Sequence, residues 1–305
     1  MSGTQCMLLV TLYLAAQTQD VPTFSSKVNV VSLLATVHDH DGRVVKNLTK
    51  DDFVLLEDGK PQQIRYFSRE SDLPLTVGLL VDTSRSQIGV LREEGRASYT
   101  FLDQVLREDK DRAFLVSFDT EVHTLQGLTS SRSELAGALK QLTIPGDVAT
   151  LVFSAIRDSA GNLMRQQSGR KAFMLLTDGV AFKDPVSIET AIEFAQRADT
   201  IIYPIRFTGH VQTYRPVRAA ILAAASERGK QGLHRMAEET GGFAYEVGKG
   251  QSIEEIYSHI EELLRNQYSI GYTPARPDDG KFHKIKLETK DRHLIVHTRD
   301  GYYAK

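Results

Sequence analysis

The sequence predicts an α/β protein with a doubly wound, mostly parallel sheet, flanked by a small β-sandwich built from both chain ends. Two observations predict it. In the middle of the chain, continuous apolar runs alternate with amphipathic helical stretches, the pattern of a parallel sheet covered on both faces. At either end, short alternating strands are separated by turn residues, and neither end has enough strands to close a core alone. With 305 residues, 41% hydrophobic and 25% charged, the chain is long enough for one medium domain and a smaller one.

The first residues, "MSGTQCMLLVTLYLAAQTQDVPTF", carry an apolar run from Cys6 to Ala16 followed by polar residues. This fits a secretory signal over 1–20, with the small residues Ala15 and Ala16 near the cut, although no Lys or Arg precedes the run. Eleven residues cannot cross ~30 Å of hydrocarbon as a helix, so no transmembrane span is expected. The expected location is secreted or periplasmic. Cys6 is the only cysteine, which leaves the mature chain without a disulfide framework, a cysteine nucleophile or a cysteine-based zinc site.

Residues 21–71 form the N-terminal β segment. "KVNVVSLLATVHD" and "DFVLLEDGKPQQIRYFS" read as strands, and "EDGK" has the Asp-Gly signature of a hairpin. Residues 267–305, with "QYSIGYTP", "KFHKIKLETK" and "HLIVHTRDGYY", form the C-terminal β segment expected to pack with it. His283, Ile285, Leu287 and Thr289 share one face of their strand. The nine histidines are dispersed, and surface positions are expected for His38, His40, His283, His293 and His297. There is no His-Glu-x-x-His zinc helix. Asn47 in "NLT" fits a glycosylation sequon.

Residues 72–266 form the middle domain. The strands expected are "LTVGLLVD", "RAFLVSF", "KAFMLLTD" and "TIIYPIRF". Between them lie helix-like stretches such as "LREEGRASYTFLDQVL", "SRSELAGALKQL", "TLVFSAIRDSAGNLMRQQ" and "SIETAIEFAQRA". "RPVRAAILAAASERGKQG", within an insertion over 208–232, is an Ala-rich helix with basic ends. It reads either as an ordinary packed helix or as a partner-selecting insertion.

In such sheets ligands sit beyond the carboxyl ends of the strands, where strand order reverses, and Asp82 and Asp178 both stand at strand ends. In an extended segment Asp82, Ser84 and Ser86 project to one side while Thr83 and Arg85 project away. Asp178 comes with Gly179, which allows a sharp turn, and Thr150 stands where a loop enters a helix. Asp82 and Ser84 could instead cap a helix, and Asp178 could sit in a plain turn. Hydroxyl and carboxylate oxygens without His or Cys suit a hard divalent cation, Mg²⁺ foremost, with Mn²⁺ or Ca²⁺ as alternatives.

These residues resemble the von Willebrand factor type A domain. Asp82, Ser84 and Ser86 match its metal-ion-dependent adhesion motif, Asp-x-Ser-x-Ser. Thr150 matches the Thr at the head of the following helix, and Asp178 in "TDG" matches the second acidic position. "LHRMAEETGGFAYEV", residues 233–247, resembles the family's late helix, Thr-Gly-Gly turn and last strand. The flanking segments "VVKNLTKDDFVLLEDGKPQQIRYF" and "YSIGYTP" resemble bacterial exported proteins that carry such a domain. One departure is the loop before Thr150, where Asp147, Val148 and Ala149 stand in place of the usual glycines. The carboxylate of Asp147 is either solvent-exposed or a modifier of metal affinity.

The ligand count leaves a hard cation under-coordinated on its outer side, since Mg²⁺ takes six oxygens. An Asp or Glu carboxylate from a protein partner can occupy that position, as the resemblance also implies. The expected function is therefore an exported, metal-dependent protein-binding or adhesion module and not an enzyme.

The alternative is a metal-dependent phosphohydrolase attacking through Asp82. That chemistry commonly has a second Asp two residues on, where this chain has Ser84. No phosphate-binding Gly-rich loop, dinucleotide fingerprint or Gly-x-Ser-x-Gly elbow is present. A cytoplasmic chelatase or motor-ATPase subunit would also use such a domain, but the apolar leader argues against it. The net charge of −2 and the scattering of the 37 basic residues exclude nucleic acid as the expected partner.

Overall fold

A computed structural model of the protein describes residues 30–69, 73–144, 149–207, 216–248, 250–275 and 279–304. The expected leader over 1–20 lies outside the described residues, as do Asp147 and Val148. The described chain begins with β1 (Val31–His38), β2 (Phe53–Glu57), β3 (Lys60–Gln62) and β4 (Tyr66–Arg69). It then enters the α/β unit through β5 (Leu75–Asp82), α1 (Leu91–Val105), β6 (Arg112–Phe118), β7 (Val122–Thr129) and α2 (Arg132–Leu139). The unit continues with α3 (Val152–Ser159), β8 (Arg170–Thr177), α4 (Ile188–Arg197), β9 (Ile201–Arg206), α5 (Pro216–Thr240), β10 (Tyr245–Glu246) and α6 (Ile253–Arg265). Strands β11 (Tyr268–Tyr272), β12 (Phe282–Thr289), β13 (Ile295–His297) and β14 (Gly301–Tyr303) complete the chain.

The central sheet has the order β10-β9-β8-β5-β6-β7. All its pairings are parallel except β6 with β7. The chain winds outward from β5 through β6 to β7, then crosses to β8 and winds the other way, so the order reverses between β5 and β8. All eight residues of β5 are buried because both faces are covered. Val77, Leu79 and Val81 pack with α1, α2 and α6, while Leu80 packs on the other face with α3, α4 and α5. Gly78 leaves room for two aromatic rings on that second face. A methyl group there would lie 2.4 Å from the Phe114 ring and 2.7 Å from that of Phe173.

The chain ends form two antiparallel four-stranded sheets, β13-β1-β11-β4 and β14-β12-β2-β3. Each combines strands from both ends of the sequence. Leu33, Ala35 and Val37 of β1 meet Leu55, Ile285, Leu287 and Ile270 in one shared core. This sandwich sits near the amino ends of the central strands: Gln196 Nε2 donates to Asp300 Oδ1 at 2.9 Å, and Arg299 pairs with Asp199, just ahead of β9. The carboxyl ends of the strands point the other way.

Three expectations are corrected. The polar, half-exposed β7 is an edge strand that the sequence reading does not contain. The Ala-rich stretch and the late helix are one continuous helix, α5, 25 residues long. His38 and His283 are buried, each 5% exposed, and His297 is half-buried, whereas His40 and His293 are exposed as expected. Among the described residues no helix is long and apolar enough to cross a membrane.

Candidate metal centre

Asp82 ends β5 with no solvent exposure. Its Oδ1 accepts the Ser84 N–H at 2.9 Å and its Oδ2 accepts the Thr177 hydroxyl at 2.6 Å, so both oxygens are held. The backbone stays extended only as far as Ser84 (φ −66°, ψ 163°), after which Arg85–Gln87 form a single 3-10 turn. Ser86 is therefore brought back to Ser84 by the turn and not by strand alternation, and the two hydroxyl oxygens lie 3.0 Å apart. Thr83 points away as expected, its hydroxyl donating to Asp119 Oδ2 at 2.7 Å.

Asp178 follows β8 across the reversal of strand order, half-buried at the rim. Its Oδ1 accepts the Val180 N–H at 2.8 Å, and its carbonyl oxygen accepts Arg206 Nε at 3.2 Å. Gly179 adopts φ +84°. It also lies against helix α5, where a methyl group on Gly229 would stand 2.6 Å from the Gly179 carbonyl oxygen. Two glycines thus let the helix press directly on the loop that presents Asp178.

Thr150 is buried at 7% exposure and forms an antiparallel bridge with Phe182. Its N–H donates to Phe182 O at 2.9 Å and its carbonyl accepts the Phe182 N–H at 3.2 Å. Asp119 joins this loop to the first one: its side chain holds Thr83, and its carbonyl accepts the Leu151 N–H at 3.0 Å. Asp184 caps α3 through the N–H groups of Phe153 and Ser154 at 2.7 and 3.1 Å. Asp82, Ser84 and Ser86 are therefore joined directly, Asp178 lies next to them across the sheet, and Thr150 enters from a third loop at the same end.

Glu94, absent from the sequence-based site, is a third carboxylate here. It lies on the buried face of α1 with no exposure, and its Oε2 has no hydrogen-bond partner. With its amide oriented to satisfy both ends, Gln87 donates to Glu94 Oε1 and accepts the Asp178 N–H, each at 3.3 Å. Burial, with the Asp178 carboxylate beside it, pushes Asp82 up to about 7. Burial and the negative charge of Asp82 push Glu94 up to about 8. Among the described residues no Lys, Arg or His forms an ion pair with Asp82, Asp178 or Glu94.

The donor set suits a hard divalent cation. It is entirely oxygen, and it gathers carboxylates that form no ion pair with a basic side chain among the described residues, with one buried carboxylate oxygen left unsatisfied. Thr177 and Arg206 are further residues that sequence reasoning missed. The only signals for them are a hydroxyl immediately before Asp178 and a basic residue at the end of an otherwise apolar strand.

Comparison with known proteins agrees with this architecture. Residues 77–259 match the von Willebrand factor type A domain, which is more than half of the chain, and the protein belongs to that family. Its members are metal-dependent adhesion and protein-interaction modules, in general not enzymes. Among solved structures the chain is similar to proximal thread matrix protein 1 from the mussel byssus, at 15% identity and a TM-score of 0.51. That likeness covers 68% of this chain and 51% of the byssus protein, so the chain spans about half of its length. A second structure of the same protein, with zinc in its adhesion-site motif, matches at 16% identity and a TM-score of 0.50, over 68% of this chain and 49% of that one. The hypothetical protein BatB from Bacteroides thetaiotaomicron shows a weaker likeness, at 15% identity and a TM-score of 0.46, over 63% of this chain and 97% of its own. No curated protein sequence matches the chain at a significant level.

Proposed function

We propose that the protein is an exported interaction module that holds Mg²⁺ through Asp82, Ser84, Ser86, Thr150 and Asp178 and uses it to capture an Asp or Glu side chain of a protein partner. The observation that carries this reading is the crowding of Asp82, Asp178 and Glu94 at the reversal of strand order, beside hydroxyl-bearing loops and, among the described residues, with no ion pair to a basic side chain. When bound, the cation supplies a Lewis-acidic position for an incoming carboxylate. Ser84 and Ser86 contribute neutral oxygens, and Asp82 and Asp178 contribute charge, Asp82 from the buried end of β5 and Asp178 from the rim. Thr177 and Ser84 N–H orient the Asp82 carboxylate, while Gln87 links the first loop to the Asp178 backbone. The apolar leader Cys6–Ala16 supports export. Asp82, with both oxygens engaged and no solvent exposure, is better placed to hold charge than to attack phosphorus.

The test is a titration of Mg²⁺, Mn²⁺ and Ca²⁺ into the wild type and Asp82→Ala, followed by thermal unfolding. Stabilisation confined to the wild type is expected, and equal stabilisation of both proteins would reject the site. A pull-down from the native extracellular or periplasmic fraction, with and without chelator, should return a partner only when metal is present. Turnover of a generic phosphate ester that disappears in Asp82→Ala would establish the hydrolase instead.

A further inference from the structure

The β-sandwich carries a second cluster of metal-ligand type, remote in sequence from the first. Strand β2 buries alternate residues, Phe53, Leu55 and Glu57, and β12 buries His283, Ile285, Leu287 and Thr289. Two of these core-facing positions are ionisable, Glu57 and His283, at the end of the β2–β12 pair. Asp58 is the next residue, in the hairpin turn, with φ +49°. Its position is fixed because its N–H donates to Lys284 O and its Oδ1 accepts the Lys284 N–H, both at 2.9 Å.

His283 Nδ1 lies 2.8 Å from Asp58 Oδ2 and 3.7 Å from Glu57 Oε1. One ligand atom from each of the three residues falls within 4.8 Å of the others. Three donors bound at ~2.0–2.2 Å to one tetrahedral ion stand roughly 3.4 Å apart, so the 2.8 and 3.7 Å spacings bracket the required edge. A fourth side chain, Asp279, places Oδ1 2.9 Å from His283 Nε2, the arrangement by which a carboxylate orients a metal-bound imidazole through its second nitrogen.

The surroundings also bury part of this charge. The Glu57 side chain is 6% exposed, and its Oε2 has no hydrogen-bond partner. The hydroxyls of Tyr272 and Tyr302 are buried beside this carboxylate, Tyr272 within hydrogen-bonding reach of both Glu57 and Tyr302, and the Tyr302 ring stacks on His283 at 5.5 Å. Three carboxylates surround one imidazole. Even a doubly protonated His283 leaves negative charge in excess, together with a buried carboxylate oxygen that needs a cation or a donor.

We propose that Glu57, Asp58 and His283 form a second metal site, for a divalent transition ion of the zinc class. The imidazole nitrogen selects zinc-class ions over the Mg²⁺ suited to the all-oxygen site. The ion takes the place of the proton on Nδ1, and three protein ligands leave the fourth position to water. The Asp58 turn and β12 are thereby joined at the open end of the sandwich.

The test removes the first site. The full chain carrying Asp82→Ala, stripped with EDTA, is titrated with ZnCl₂ by calorimetry, and bound zinc is counted after dialysis. Asp178→Asn serves as a second background. One zinc per chain is expected, with affinity reduced at least about tenfold by His283→Gln and by Asp58→Asn. Asp58→Asn is the safer variant, because the position is half-exposed and Asn accepts its left-handed backbone. The proposal is overturned if the chain takes up no zinc or if either variant keeps the parental affinity. Those results would make the cluster a charged clasp of the hairpin and leave the Mg²⁺ reading of the first site untouched.

Discussion

Replacing Asp82 by Asn should stabilise the metal-free protein, although it removes a hydrogen-bonded carboxylate from the core. The reasoning rests on sign. A carboxyl group whose folded pKa is raised above its unfolded value penalises the folded state wherever the group is ionised in both states, and the penalty is relieved as pH falls through the folded value. Asp82 moves from 3.8 to about 7, a difference of about 3 units, or roughly 4 kcal/mol at pH 8. Asn keeps the acceptor for the Ser84 N–H but faces the Thr177 hydroxyl with an amide, a mismatch of about 1 kcal/mol. The net gain is about 2–3 kcal/mol, or roughly 4–6 °C in Tm for a chain of this size. Thermal unfolding in EDTA across pH 4–8 reads this out, and the advantage of the variant should roughly halve by about pH 6, vanish near about pH 4.5 and reverse slightly below that, where only the amide mismatch remains. In Mg²⁺ at about a hundred times its Kd the wild type gains about 2.7 kcal/mol and the variant gains nothing, so the ranking closes or inverts. An Asp82→Asn variant that melts below the wild type in EDTA at pH 8 would show that the carboxylate carries no such strain.

Three further outcomes follow from the same geometry. Gly229→Ala sets a methyl group against the Gly179 carbonyl at 2.6 Å. It should destabilise the chain by about 1–3 kcal/mol and weaken Mg²⁺ binding measured by calorimetry; unchanged metal affinity would uncouple α5 from the site. Arg206→Met removes the bonds to the Asp178 carbonyl and the Ser226 hydroxyl and leaves Glu246 paired with Lys230 at 3.5 Å, for an expected loss of about 1–2 kcal/mol in urea unfolding. His297 is depressed to about 4 by burial and by His38 beside it, so its contribution is complete above about pH 6.5 and is lost as pH falls toward 4. With allowance for its partial exposure this amounts to ~1–2 kcal/mol, and His297→Gln should flatten the stability–pH curve over that interval.

What the sequence made legible was where apolar pattern and chemistry coincide. The run before Asp82 is apolar on both faces because β5 is covered on both faces, and a carboxylate after such a run has few explanations other than a site. Glu94 was equally visible in principle. It stands three, four, seven and eight residues before Ala97, Ser98, Phe101 and Leu102, all buried on one face of α1, but a glutamate in a helix reads as solvated unless something else demands it inside. The same habit hid His283, whose strand alternation puts it with Ile285 and Leu287, on the core side. Strand β7 escaped because it has one neighbour and a half-exposed face, and so lacks the continuous apolar run of the interior strands. The 3-10 turn that returns Ser86 to Ser84 left no periodic signal, being only three residues long.

The contacts that shape the centre divide into two groups, and the division says what a cation must supply. Neutral donors and main-chain bonds fix the loops: Thr177 and Ser84 N–H on Asp82, Asp119 between the first and third loops, Gly179 against Gly229, and the bridge from Thr150 to Phe182. None of these requires an ion. What the same contacts leave unresolved is charge, since Asp82 and Glu94 are held out of water beside Asp178. The protein's own bonds thus account for the shape of these loops, and charge is what a cation would offset. A pre-shaped cradle spends little binding energy on ordering loops, so most of the cation's interaction with the carboxylates appears as affinity and stability. Loops that close only around metal would lack these bonds in its absence, and their amide protons would exchange freely in EDTA. The bridge between Thr150 and Phe182 and the Ser84 N–H should instead stay protected from exchange under chelation, at the level of the neighbouring strand ends.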